Sequence, residues 1–96
     1  MGIGWCSKAD VLVAFKIVGE EIRAKCQRFA ADGFTLGDAC QLASRVKEQR
    51  ELIRQFAGRR NARHARRLVR LNRSLRDRLV QLVRNAGLQT SVLIFK

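Results

Sequence analysis

From residue 8 onward the apolar positions recur at intervals of three and four, the spacing that places side chains on one face of an α-helix. A first set, Leu12, Phe15, Gly19, Ile22, Cys26 and Phe29, widened by Val11 and Val18, predicts a helix from Ser7 to about Ala31 with an apolar face broad enough to be buried on two sides. A second set, Ala39, Leu42, Ala43, Val46, Ile53 and Phe56, predicts a helix over Leu36 to Ala57, with small residues at its start that permit close approach to the first. The third, Ala65, Leu68, Asn72, Leu75, Leu79, Leu82 and Ala86, keeps the spacing without a miss along a helix expected from Asn61 to Asn85.

The ends of these helices carry their own signals. Ser7 with Asp10, and Thr35 with Asp38, have the spacing of a capping box, in which a side chain and a backbone N–H satisfy each other across the first turn. Gly33 and Gly87 are placed to take the positive-φ conformation that ends a helix. Gly58 marks either a bend or a short connection, and with no proline in the chain a continuous passage through it stays open. The expected fold is all-α and forms one domain: a lead-in over 1–6, a helical core over 7–86 made of a hairpin plus a long basic helix, and an apolar, extended tail over 87–96. Left exposed, that tail would invite aggregation.

A chain of 96 residues buries only a modest share of its surface, so a second copy is the natural cover for apolar faces this broad. The seam residues Leu12, Phe15, Ile22, Leu68, Leu75, Leu79 and Leu82 are accordingly expected to form the core or a homodimer interface. Asn72, the one polar member of the third seam, is either a register-fixing residue of a coiled coil or a hydrogen-bonded residue of an ordinary bundle.

Charge changes the picture of the second half. The whole chain carries a formal charge of +12. Residues 1–48 hold seven Lys or Arg against six Asp or Glu, a net of +1, whereas residues 49–96 hold thirteen against two, a net of +11. Such asymmetry points to a polyanionic partner, nucleic acid first and an anionic membrane surface second. Fifteen of the twenty cations are arginine, whose planar fork suits bidentate phosphate contact.

Placed by the same three-four spacing, Arg59, Arg63, Arg66, Arg70 and Arg73 form a stripe away from the leucine seam, with Arg60 and Arg67 beside it, over roughly 21 Å at the helical rise. Lys47, Arg50 and Arg54 form a shorter row on the second helix. No acid interrupts residues 59–73, whereas a merely soluble helix would mix in glutamate and gain i, i+4 pairs. Arg76 and Arg84 lie beyond this run, next to or past Asp77, and are expected to contribute less.

Such contacts bind phosphates without reading bases, and duplex RNA is recognised largely in this way. Scattered aromatics offer no stacking platform for single strands. His64, the lone histidine, reads as one more contact within the basic helix. No paired carboxylates, glycine-rich phosphate loop or metal-ligand spacing is present, so no enzyme, cofactor or metal is expected. Cys6, Cys26 and Cys40 read as reduced thiols of an intracellular protein. No apolar run crosses a bilayer and no leader precedes the first helix, which makes the cytoplasm the expected location. MGIGWCSK also loosely fits an N-myristoylation signal at Gly2 with Cys6 nearby, the alternative being a simple lead-in.

A short, basic, all-helical chain with a helical hairpin and an arginine-lined face resembles the nodavirus RNA-silencing suppressors over roughly residues 8–86. The resemblance implies a dimeric helical bundle lying along double-stranded RNA and shielding it, with Arg50, Arg54, Arg59, Arg63, Arg66 and Arg70 as the duplex-facing row. Two other readings stand beside it: a chaperone or adaptor that pairs its third helix with a partner helix, given the faint likeness of RRLVRLNRSLRDRL to flagellar export chaperones, and a DNA-binding accessory protein.

Overall fold

A computed structural model describes residues 7–93. Three helices follow one another, α1 over Lys8–Asp32, α2 over Leu36–Phe56 and α3 over Ala62–Asn85, and among the described residues there is no strand. Both predicted capping boxes form. Ser7 Oγ accepts from the Asp10 N–H at 3.1 Å while the Ser7 N–H donates to Asp10 Oδ2 at 3.2 Å, and Thr35 and Asp38 repeat the exchange at 3.1 Å each way. The Thr35 N–H and hydroxyl hold the Asp38 carboxyl below the usual carboxylate range. The contribution of that cap is complete above the ordinary carboxylate titration and is lost as pH falls below that range through the lowered titration of Asp38.

The turns follow from backbone chemistry. Gly33 takes φ +82°, and the rings of Phe29 and Phe34 stack across it at 4.7 Å to close the α1/α2 hairpin. Gly87, at φ +76°, completes a Schellman end to α3, since the Gly87 N–H donates to Arg84 O and the Leu88 N–H to Val83 O. At Gly58 the chain breaks: Ala57 and Gly58 are extended, and a single 3₁₀ turn over Arg59–Asn61 leads into α3. Lys8 Nζ donates to Phe56 O at 2.8 Å, and so caps the end of α2 with a cation from the start of α1.

The bundle buries its three stripes against one another. One cluster joins Val18, Ile22 and Cys26 of α1 with Leu42, Ala43 and Val46 of α2 and Leu75, Leu79 and Val83 of α3. A second gathers Val11, Phe15, Ile53, Phe56, Ala65 and Leu68 nearer the α2/α3 corner. The seam of α3 is therefore occupied inside the protomer. Its register also drifts from the sequence expectation, with Val83 fully buried and Leu82 only half-buried, because a strict 3.5-residue repeat slips by about 20° per heptad on a straight helix. In α1 the same slip puts Val11 and Val18 in the core and leaves Leu12 at its edge. The tail differs from the extended segment expected over 87–96. Thr90–Val92 form a 3₁₀ turn that drops Leu93 into the first cluster, and residues 94–96 lie outside the described residues, as do Gly2 and Cys6.

Two amides cross this core. Asn72 Nδ2 donates to Val46 O at 3.0 Å and to Gln49 Oε1 at 2.8 Å, and Gln49 Nε2 donates to Phe15 O at 3.1 Å. α3, α2 and α1 are thus laced by one buried polar layer. Gly19 makes it possible, because a Cβ there would sit 2.8 Å from Gln49 Nε2. Asn72 is accordingly a residue of an intramolecular bundle, with its amide nitrogen fully engaged.

Candidate nucleic-acid interface

Nine of the ten predicted cationic contacts sort into three groups, and Arg59 stands apart. Lys47, Arg50 and Arg54 of α2 and Arg73 of α3 come together with Arg76 along a cleft between the two helices, of about 280 Å³, floored by Val46, Ile53, Val69 and Asn72. Arg66 and Arg70 form a ridge on α3 that meets the cleft at Val69. Arg60, Arg63 and Arg67 gather with Asn61 and His64 at the corner where α3 begins. Arg59 is exposed on the 3₁₀ turn ahead of the helix. The 21 Å helical stripe is thereby shortened, since only Arg63 to Arg73 lie on α3, a rise of roughly 15 Å.

Arg76 stands closer to the predicted contacts than its sequence neighbourhood suggests. It was expected to be peripheral because Asp77 follows it, yet it is half-buried and lines the cleft. Asp77 Oδ1 does accept from Arg76 Nη2 at 3.2 Å, but the carboxylate is largely exposed and such a pair is weak in water. The signal in the sequence was positional: Arg73 and Arg76 are three apart, like Lys47 and Arg50, on helices that a hairpin-like corner sets side by side. Gln49 was missed altogether. It occupies the slot between Val46 and Ile53 in the second stripe, as Asn72 does in the third, and it is only 1% exposed.

Elsewhere a few charges are paired, while Lys16, Lys25, Arg28, Arg78 and Arg84 form no ion pair among the described residues. Arg45 pairs with Glu21 at 2.8 Å and with Glu48 at 2.7 Å, and its bond to Glu21 holds the guanidinium more firmly charged. Arg23 pairs with Glu20. On the basic face Arg54 meets Glu51 at 3.5 Å, but among the described residues Arg50, Arg59, Arg60, Arg63, Arg66, Arg67, Arg70 and Arg73 form no ion pair. Cations at i, i+4, such as Arg63 with Arg67 and Arg66 with Arg70, repel each other by a few tenths of a kcal/mol. Arg63 also stands in the first turn of α3, where the helix dipole favours anions, and no acid is there to offset it. The face is thus more comfortable with an anion against it than without.

His64 stands edge-on to the Phe56 ring at 4.9 Å, which fixes it at the corner. Cys26 is buried and Cys40 half-buried, both free; burial pushes the Cys26 thiol up, against the opposing pull of the Arg78 guanidinium. Among the described residues no group of His, Cys, Asp or Glu is placed to hold a metal ion, and no helix is long and apolar enough to cross a membrane. On its other side α3 forms a groove with α1, lined by Phe15, Gly19, Leu71 and Leu75. No family model, curated protein or solved structure matches this chain.

Proposed function

We propose that the protein binds double-stranded RNA without sequence preference, through the α2/α3 cleft and the ridge beside it, and that it acts by shielding the duplex, as a viral suppressor of RNA silencing does. The observation that carries this reading is the convergence of Lys47, Arg50, Arg54, Arg73 and Arg76 from two helices onto one cleft, continued by unpaired Arg66 and Arg70. Cationic side chains from two helices suit a phosphate backbone, and no aromatic side chain lines the cleft or the ridge to stack bases. With about six phosphates neutralised, the logarithm of affinity for a duplex should fall against the logarithm of salt with a slope near −5. A salt titration over several unrelated duplex sequences checks this, and a slope near −1 would remove the reading.

The binding unit is a homodimer in this proposal. The seam of α3 is used within the protomer, and the second copy is placed on the outer side of α1, where Val13 and Ile17, one turn apart, are the most exposed large hydrophobic side chains among the described residues, at 56% and 57%. Sedimentation at micromolar concentration should show a species near twice 10.9 kDa, and Ile17→Glu should convert it to a folded monomer. A wild-type protein that sediments only as the monomer would contradict the dimer.

A second reading rests on the groove between α1 and α3, where Leu71 is 48% exposed. An amphipathic helix of a protein partner fits such a groove, which is the adaptor alternative. Its affinity would depend little on salt, and the titration above separates the two.

A further inference from the structure

We infer that the cleft seats the sugar–phosphate backbone of one RNA strand, with Asn72 Oδ1 on its floor accepting a hydrogen bond from a ribose 2′-hydroxyl, so that Asn72 is a residue by which the protein tells RNA from DNA. The inference rests on the duplex-RNA reading and sharpens it.

Asn72 is only 5% exposed, and its orientation is set by its neighbours. Val46 O is an acceptor, so the nitrogen of the amide must face it, and the same nitrogen donates to Gln49 Oε1. Both donor hydrogens are thereby engaged. The oxygen is not: among the described residues nothing donates to Asn72 Oδ1, and unlike Asn61 Oδ1 it is not sealed off from its surroundings. Asn72 lines the α2/α3 cleft.

The chemistry of the cleft makes this acceptor unusual. Every other polar side chain that lines it is Lys or Arg, which donate and cannot accept. Those cations suit phosphate oxygens. An amide oxygen does not, since it needs a donor, and the one donor along a ribose–phosphate backbone is the 2′-hydroxyl. A deoxyribose backbone has none. Val46, Ile53 and Val69 line the same cleft, and their apolar side chains suit the carbon face of the sugar. A rim that holds phosphates and a floor that holds a hydroxyl together describe one nucleotide's backbone, with its base turned outward into the duplex.

The test compares the wild-type protein on an RNA duplex and on the same duplex carrying 2′-fluoro sugars, which keep the A-form helix and the phosphates but remove the donor. A neutral hydrogen bond predicts about three- to tenfold weaker binding of the fluoro duplex, with the salt slope unchanged because no phosphate contact is lost. In parallel, the side-chain amide signals of Asn72 in a ¹⁵N spectrum should move on adding the RNA duplex and stay near their free positions with the fluoro duplex. Equal affinity for the two duplexes, or a difference that leaves the Asn72 amide signals unmoved, overturns the assignment while the duplex-RNA reading stands. Failure to bind either duplex removes both.

Discussion

Replacing Arg50, Arg73 and Arg76 together by alanine is expected to weaken duplex-RNA binding by about a hundredfold, three losses near 1 kcal/mol each. The three line one cleft from two helices, so a single duplex backbone can meet all of them at once. The salt slope should fall by about three, from near −5 to near −2, because each phosphate contact contributes roughly one. The control removes the same charge elsewhere. Lys16, Lys25 and Arg28 lie on α1, away from the cleft, and their triple alanine variant should lose only the long-range share of the attraction, which salt screens over about 10 Å. If the two triple variants weaken binding equally, net charge and not the cleft is what binds.

The second large effect concerns stability. Asn72→Leu should lower it by about 1–3 kcal/mol, because Gln49 Oε1 then stays buried without a donor. A coiled-coil asparagine would behave in the opposite way, its replacement by leucine raising stability while loosening the choice of oligomer. The paired variant Gln49→Leu with Asn72→Leu should recover much of the loss, since two apolar side chains replace two that had satisfied each other. Chemical denaturation of the two single variants and the double gives the coupling directly. A double variant as unstable as the sum of the singles would mean that the amides act independently.

These two amides also mark where sequence reading stops. The helix ends were legible because each is a local matter: Ser7 with Asp10, Thr35 with Asp38, and the glycines at 33 and 87 carry their chemistry within a few residues. The apolar stripes were legible to within half a turn, and the drift from Leu82 to Val83 is the difference between a 3.5- and a 3.6-residue repeat. Gln49 was not legible, because its role needs Asn72 from 23 residues away and the open space at Gly19 on a third helix. The place of Arg76 in the cleft was not legible for a related reason. Its sequence neighbour is an acid, but its spatial neighbours across the cleft are Lys47 and Arg50.

The arrangement also explains why α3 tolerates so much uncompensated charge. Its buried face is complete, running from Ala65 through Leu79 to Val83, and that packing outweighs repulsion of a few tenths of a kcal/mol per pair on the outside. Packing and unpaired charge thus lie on opposite sides of one helix.

The central claim is that this cationic cleft and ridge hold duplex RNA. It is tested most directly by titrating the wild-type protein, at one fixed salt concentration, against an RNA duplex, the matching DNA duplex and one of the RNA strands alone. The duplex RNA should bind tightest, the DNA duplex more weakly for want of 2′-hydroxyls and A-form shape, and the single strand weakest, since nothing in the cleft or the ridge stacks its bases. Equal affinity for all three, or a preference for the single strand, would contradict the account.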